Sequence, residues 1–196
     1  MFIPDVTKNA MLDNQYPSGA GNVYLSTHSD YSATGANLLG AKTSANFSAA
    51  AAGQKALSAA CDIAVGAGLT VKWIGLWDST QATFRGTVPN AGTGDKTFQV
   101  DLTNNRIYCE NHGWSANQKI VFYGGTPPTG LTAGVTYFVK TVTAGDPDYF
   151  DVSATAGGAA IDITAQAAAG CVVSDIVEET YSSAGTHRVS TLTIDL

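Results

Sequence analysis

His28-Ser29-Asp30 sets a base, a hydroxyl and a carboxylate side by side, the residue types of a nucleophilic relay. Such a relay needs its three groups to converge from separate positions, so three neighbours read instead as polar loop residues. His112 stands two residues before Trp114, and the pair could stack a sugar or a base. The plainer reading is a turn histidine in a structural motif. Asp146, Asp148 and Asp151 could ligate calcium from one loop, but Pro147 interrupts them and the EF-hand glycine and terminal glutamate are absent. Asp62, Asp78, Asp175, Glu178 and Glu179 form no readable carboxylate pair for glycoside hydrolysis. The chain has no Walker loop, HExxH or GxSxG, and Asn46-Phe47-Ser48 is a formal glycosylation sequon. The expectation is no catalytic residue, no metal, no cofactor and no enzyme.

Cys61, Cys109 and Cys171 lack CxxC pairing and are odd in number, against a disulfide framework. Their apolar and small neighbours suit buried thiols in a reducing compartment, with a Cys109–Cys171 bridge as the alternative. A formal charge of −6 and ten scattered basic residues oppose a nucleic-acid partner. Charged residues are only 13%, yet hydrophobic residues reach 44%, so the chain folds behind a surface of hydroxyls and small side chains. The start Met1-Phe2-Ile3-Pro4-Asp5 lacks the pattern of a signal peptide, and no apolar run reaches membrane-spanning length. The expectation is folding in a cytoplasm with no membrane partner.

The elements that must position these groups centre on Val71 to Asp78. Val71, Trp73 and Trp77 fall on one face and Ile74 and Leu76 on the other, the mark of a strand covered on both sides. Gly75 among bulky neighbours predicts a bulge or a close backbone approach. Ahead of it, Pro4 to Asn14 reads as a helix with Val6, Ala10 and Leu12 facing a sheet, Val23 to His28 as a strand, and Ala56 to Val65 as a strand by its period of two. Ala82 to Val88 forms the hairpin partner, and Pro89 to Gly94 is a breaker run and the candidate boundary. From Lys96 shorter strands follow: Phe98, Val100 and Leu102 on one face, then Ile107 and Cys109, Lys119 to Tyr123, Val135 to Val142, Tyr149 to Val152 after a turn at Asp146-Pro147-Asp148, and Ala159 to Thr164. Their spacing predicts a small antiparallel barrel or roll. Cys171 to Tyr181 leads back, and His187 to Leu196 closes with Leu192, Ile194 and Leu196 on one face, the terminus held in a sheet. The reading is all-β: a jelly-roll-like β-sandwich with a short N-terminal helix (1–94 plus 171–196) and an inserted small β-barrel or roll (95–170).

The helix Asp5 to Asn14, the strand Val23 to Thr27, the core Trp73-Ile74-Gly75-Leu76-Trp77-Asp78, and Ala184-Gly185-Thr186 before a closing Leu-Thr-Ile strand together resemble a family of small tailed-bacteriophage virion proteins, of tail-fibre-like or head-decoration type. The insert is similar to a second phage module, through His112-Gly113-Trp114-Ser115 and Gly130-Leu131-Thr132-Ala133-Gly134-Val135-Thr136-Tyr137-Phe138-Val139, with Asp151-Val152-Ser153-Ala154-Thr155 after it. The resemblance implies a non-enzymatic structural protein, most simply a decoration or cement protein on the capsid surface, assembled in the bacterial host cytoplasm. Its partners would be the major capsid protein and copies of itself, as dimers or trimers. The alternative is a tail-fibre module that binds a receptor or glycan. The expected contact surface is Phe2, Ile3 and Pro4 with the aromatic residues Trp114, Tyr123 and Tyr149.

Overall fold

A computed structural model describes residues 3–143 and 146–195. Phe2 and Leu196, both named in the sequence reading, lie outside the described residues. The elements in order are α1 (Asp5–Gln15), β1 (Val23–His28), β2 (Thr43–Ala45), β3 (Gln54–Ala56), β4 (Cys61–Val65), β5 (Leu69–Val71), β6 (Trp73–Asp78) and β7 (Phe84–Pro89). Then come β8 (Gln99–Asp101), β9 (Arg106–Tyr108), β10 (Lys119–Tyr123), β11 (Thr136–Thr143), β12 (Asp146–Ser153), β13 (Val172–Asp175), β14 (Glu179–Tyr181), β15 (Gly185–Val189) and β16 (Thr193–Asp195). The fold is all-β and sandwich-like, with one short N-terminal helix and antiparallel pairing throughout its sheets.

Two compact units form, residues 1–88 with 178–196, and residues 89–177. Residues 89–94 and 171–177, assigned to the first domain from sequence, therefore belong to the second unit. Backbone pairing is the reason. Lys96 and Val173 exchange two backbone hydrogen bonds (2.9 and 3.0 Å), and Thr93 donates from both N–H and Oγ1 to Asp175 Oδ1, each at 2.7 Å.

In the first unit a sheet of order β2-β1-β6-β7 places β6 in its interior. Opposite it, the segment holding β3, β4 and β5 runs antiparallel to the segment holding β16, β15 and β14. Paired positions stay in one register from Val71↔Glu179 to Cys61↔Val189, then slip by one residue before Ala56↔Thr193. The expected strand from Ala56 to Val65 is accordingly broken at residues 57–60. The closing strand divides in the same place, into β15 and β16. Leu25, Ile63, Val71, Ile74, Leu76 and Val189 fill the core between the layers, with Leu192 and Ile194 packed against it. The other face of β6 carries Trp73, Gly75 and Trp77 beneath the loop of residues 29–42, where Tyr31 packs on Trp73 with ring centroids 5.2 Å apart. Both faces of β6 are thus covered, which accounts for its apolar residues at both parities. Val71, expected beside Trp73 and Trp77, instead ends β5 and packs in the core with Ile74 and Leu76, because the strand breaks at Lys72.

Helix α1 reverses the expectation drawn from its apolar residues. Val6 is 75% exposed and Met11 48%, and Ala10 also faces solvent, while Leu12 alone of the expected stripe is buried. The helix docks instead through polar groups. Asn9 Oδ1 accepts the Gly53 N–H (2.8 Å), and Asp13 Oδ1 accepts the Ala50 N–H (3.0 Å) and the Lys55 ammonium (2.5 Å). Lys55, fully buried, also donates to Ser18 Oγ (2.9 Å) and the Ser48 carbonyl (2.7 Å), so all three of its N–H groups have acceptors.

The second unit is one six-stranded sheet, β13-β10-β11-β12-β9-β8. Its two edges are drawn together by the chain from 96 to 101, which pairs with β13 at Lys96 and with β9 as β8, so the sheet rolls up on itself. Ile107, Ile120, Phe122, Val139, Phe150 and Val173 are fully buried inside. Three details depart from the sequence reading. Asp146-Pro147-Asp148 begins β12 rather than forming the turn, on a stretch where the register with β11 shifts and a proline is tolerated. Leu102 is 46% exposed because β8 ends at Asp101. Residues 159–164 make only an isolated bridge at Ala160, though Ile163 is buried.

Candidate functional site

Strand β1 sets Ser26 and His28 two residues apart, on one face. Ser26 Oγ and His28 Nε2 are 2.7 Å apart, and His28 Nδ1 is 2.7 Å from the Ala36 carbonyl. A carbonyl only accepts, so Nδ1 carries the proton and Nε2 accepts from the Ser26 hydroxyl. Trp77 Nε1–H donates in turn to Ser26 Oγ (2.7 Å). This is the geometry of a serine–histidine pair, but both residues are at most 1% exposed. Gly75 makes the room: a Cβ there would lie 2.4 Å from His28 Nε2 and 2.8 Å from Ser26 Oγ. The close approach expected at Gly75 is therefore made by side chains, not by another backbone. Gly35, at φ +76°, admits Trp77 and Phe84 in the same way from the loop. Burial pushes the His28 pKa down, with Lys42 adding to the effect and the Ala36 hydrogen bond opposing it. The Ser29 hydroxyl donates to the Asp30 carboxylate at 2.9 Å, while the His28 ring is engaged by Ser26 and Ala36, so the predicted triplet is not brought together. An alternation that put Ser26 and His28 on one side of a strand was the available signal, and it was missed.

The chain's other two histidines are also enclosed. His187, on β15, lies 3.2 Å by its Nδ1 from Glu179 Oε2 and from the Tyr181 hydroxyl, which donates to Glu179 Oε1 at 2.7 Å. Burial lowers its pKa while Glu179 pulls it up, and burial with Glu179 holds the Tyr181 phenol at about 12. His112 accepts the Trp114 N–H on Nδ1 (2.9 Å) and packs edge-on to Phe150, centroids 5.0 Å apart. Burial lowers its pKa against the pull of Asp148 and the Pro147 carbonyl.

Trp114 and Tyr123 are each only 5% exposed, which corrects their expected place on a contact surface. Trp114 is drawn in by Phe150 and His112, and the Tyr123 hydroxyl is bound to the Asp95 carboxylate. Tyr149 does reach the surface in part, against Tyr108 and under Arg106. Pro4 is exposed at the N-cap of α1, and Ile3 is half-buried.

All three cysteines are free thiols. Burial raises Cys61 and Cys109 to about 11 and raises Cys171 as well, so none is a ready thiolate. Among the described residues no group of three or more His, Cys, Asp or Glu side chains could hold a metal ion. Asp148 is instead occupied by the Asn111 N–H, at 2.8 Å. Among the same residues no helix is long and apolar enough to cross a membrane. No protein family, curated protein or solved structure matches this chain.

Proposed function

We propose that this chain is a non-enzymatic structural protein of a bacteriophage particle, a decoration or cement protein that binds the major capsid protein lattice and stabilises it by mass action. The single observation that supports this reading most is the use made of the reactive groups. Ser26, His28, His187, Lys55 and the carboxylates of Asp13 and Asp175 each tie together separate segments of their own unit. The motif resemblance supplies the virion setting. The copy number in purified particles tests it: hundreds of copies, near the count of the major capsid protein, are expected, and a handful would move the protein to the tail. Hydrolytic turnover lost on Ser26→Ala would overturn the non-enzymatic reading itself.

A tail-fibre module that binds a glycan is the second reading. Burial of Trp114 and Tyr123 removes two of the rings it would use, and Tyr149 beside Tyr108 is the observation that keeps it.

A further inference from the structure

On the outer side of the second unit, the rolled sheet presents a row that its core-facing residues do not share. Val100, Ile107 and Phe150 point inward and are at most 6% exposed. Their neighbours Gln99, Tyr108 and Tyr149 are placed in register across β8, β9 and β12, on the opposite face. The rings of Tyr108 and Tyr149 are 5.0 Å apart and tilted by 53°. Arg106, two residues before Tyr108, holds its guanidinium 3.9 Å from the centre of the Tyr149 ring and donates from Nε to Asp101 Oδ2 at 3.0 Å. One tyrosine of the pair is therefore already seated under a cation that a carboxylate orients.

Tyr108 has the same kind of surroundings without a cation of its own chain above it: among the described residues, the two cations over rings are Arg106 over Tyr149 and Lys42 over Trp77. Desolvation raises the Tyr108 phenol, and the charges of Glu110 and Asp148 raise it further, so negative potential gathers at this ring. The unit as a whole carries eight acidic and four basic residues, a formal −4, which draws cations towards it and repels anions.

We propose that this face is a docking surface for an arginine- or lysine-bearing segment of a protein partner. One partner cation lies over Tyr108 as Arg106 lies over Tyr149, and Glu110 accepts its N–H groups. The proposal holds for any protein partner and does not rest on a virion setting. The role of Arg106 is to fix the Tyr149 ring against its neighbour.

The test is a fluorescence anisotropy titration of the intact chain with a fluorescein-labelled Gly-Arg-Gly-Arg-Gly peptide at low salt. Tyr108→Ala and Glu110→Gln should each weaken binding at least about fivefold, and Tyr108→Phe, which keeps the ring, should bind within about twofold of the natural chain. Asp62→Asn, a similar loss of charge in the first unit, should change nothing. Equal weakening by Asp62→Asn and Glu110→Gln would reduce the effect to diffuse attraction and overturn the proposal. So would binding of a neutral maltohexaose probe that needs Tyr108 while the peptide does not.

Discussion

In the first unit the deepest positions include a lysine held by a carboxylate, a hydroxyl and a carbonyl, together with a histidine whose two nitrogens are both engaged. The first unit buries Trp73 and Phe47 beside these polar groups, whereas at that depth the second unit has Phe122 and Phe150, with Trp114 and His112 packed on Phe150. The first unit is assembled from segments far apart in the chain, and α1 offers it little apolar surface. Directional polar contacts fix where those segments sit, because an unpaired buried donor costs more than a displaced methyl group. The second unit is a run of strands joined mostly to near neighbours, where Phe122 and Phe150 fill volume and the polar tie of Thr93 to Asp175 is kept for the chain's distant return. How a protein secures its core thus follows how far apart in sequence the pieces are.

That contrast can be broken from either side. Phe150→Ala should be the most costly single change, lowering stability by about 4 kcal/mol through the cavity it leaves, as measured by urea unfolding. Lys55→Met removes the donor from three acceptors, and because Asp13 is partly open to water the loss should be about 3 kcal/mol. Hydrogen exchange should then rise first in α1 and β3, and a uniform rise would mean that the lysine is not what holds the helix. Gly75→Ala drives a methyl group into His28 and Ser26, and about 2 kcal/mol is expected. A near-neutral Gly75→Ala would mean that the Ser26–His28 pair yields easily.

Acid sharpens the comparison because each unit encloses histidine. All three have folded pKa values below the ordinary 6.5, set first by burial, so the unfolded chain takes up protons before the folded one does. Stability is full above that value and falls as pH drops below it, by at most about 1.4 kcal/mol per pH unit for each histidine. Urea midpoints at pH 7 and pH 5 should differ in this direction, and a flat profile would show that the imidazoliums are accommodated. The smallest effect concerns the thiols. An aromatic disulfide reagent at pH 8 should label half-buried Cys171 first, with Cys61 and Cys109 reacting only on unfolding.

The central strand was legible because its apolar residues at both parities report two covered faces directly. Helix α1 was legible as a helix but not in its orientation. Pattern reading seeks an apolar stripe, and here Asn9 and Asp13 face inward to serve backbone N–H groups and Lys55. Asp146-Pro147-Asp148 carries turn composition, yet a shift in register lets it run as strand. The Ser26–His28 pair was within reach of simple alternation. Tyr108 against Tyr149 was not, since their meeting depends on a cross-strand register that no local pattern encodes.

The ribbon that pairs residues 54–71 with 179–195 has a consequence for biosynthesis. A ribosome must translate the entire second unit before the partners of β3, β4 and β5 exist. The nested unit can fold during that interval, whereas the first half of the outer one waits with open strand edges. Chains truncated after residue 177 and released from the ribosome should therefore resist protease across residues 89–177 and be cut within 54–71.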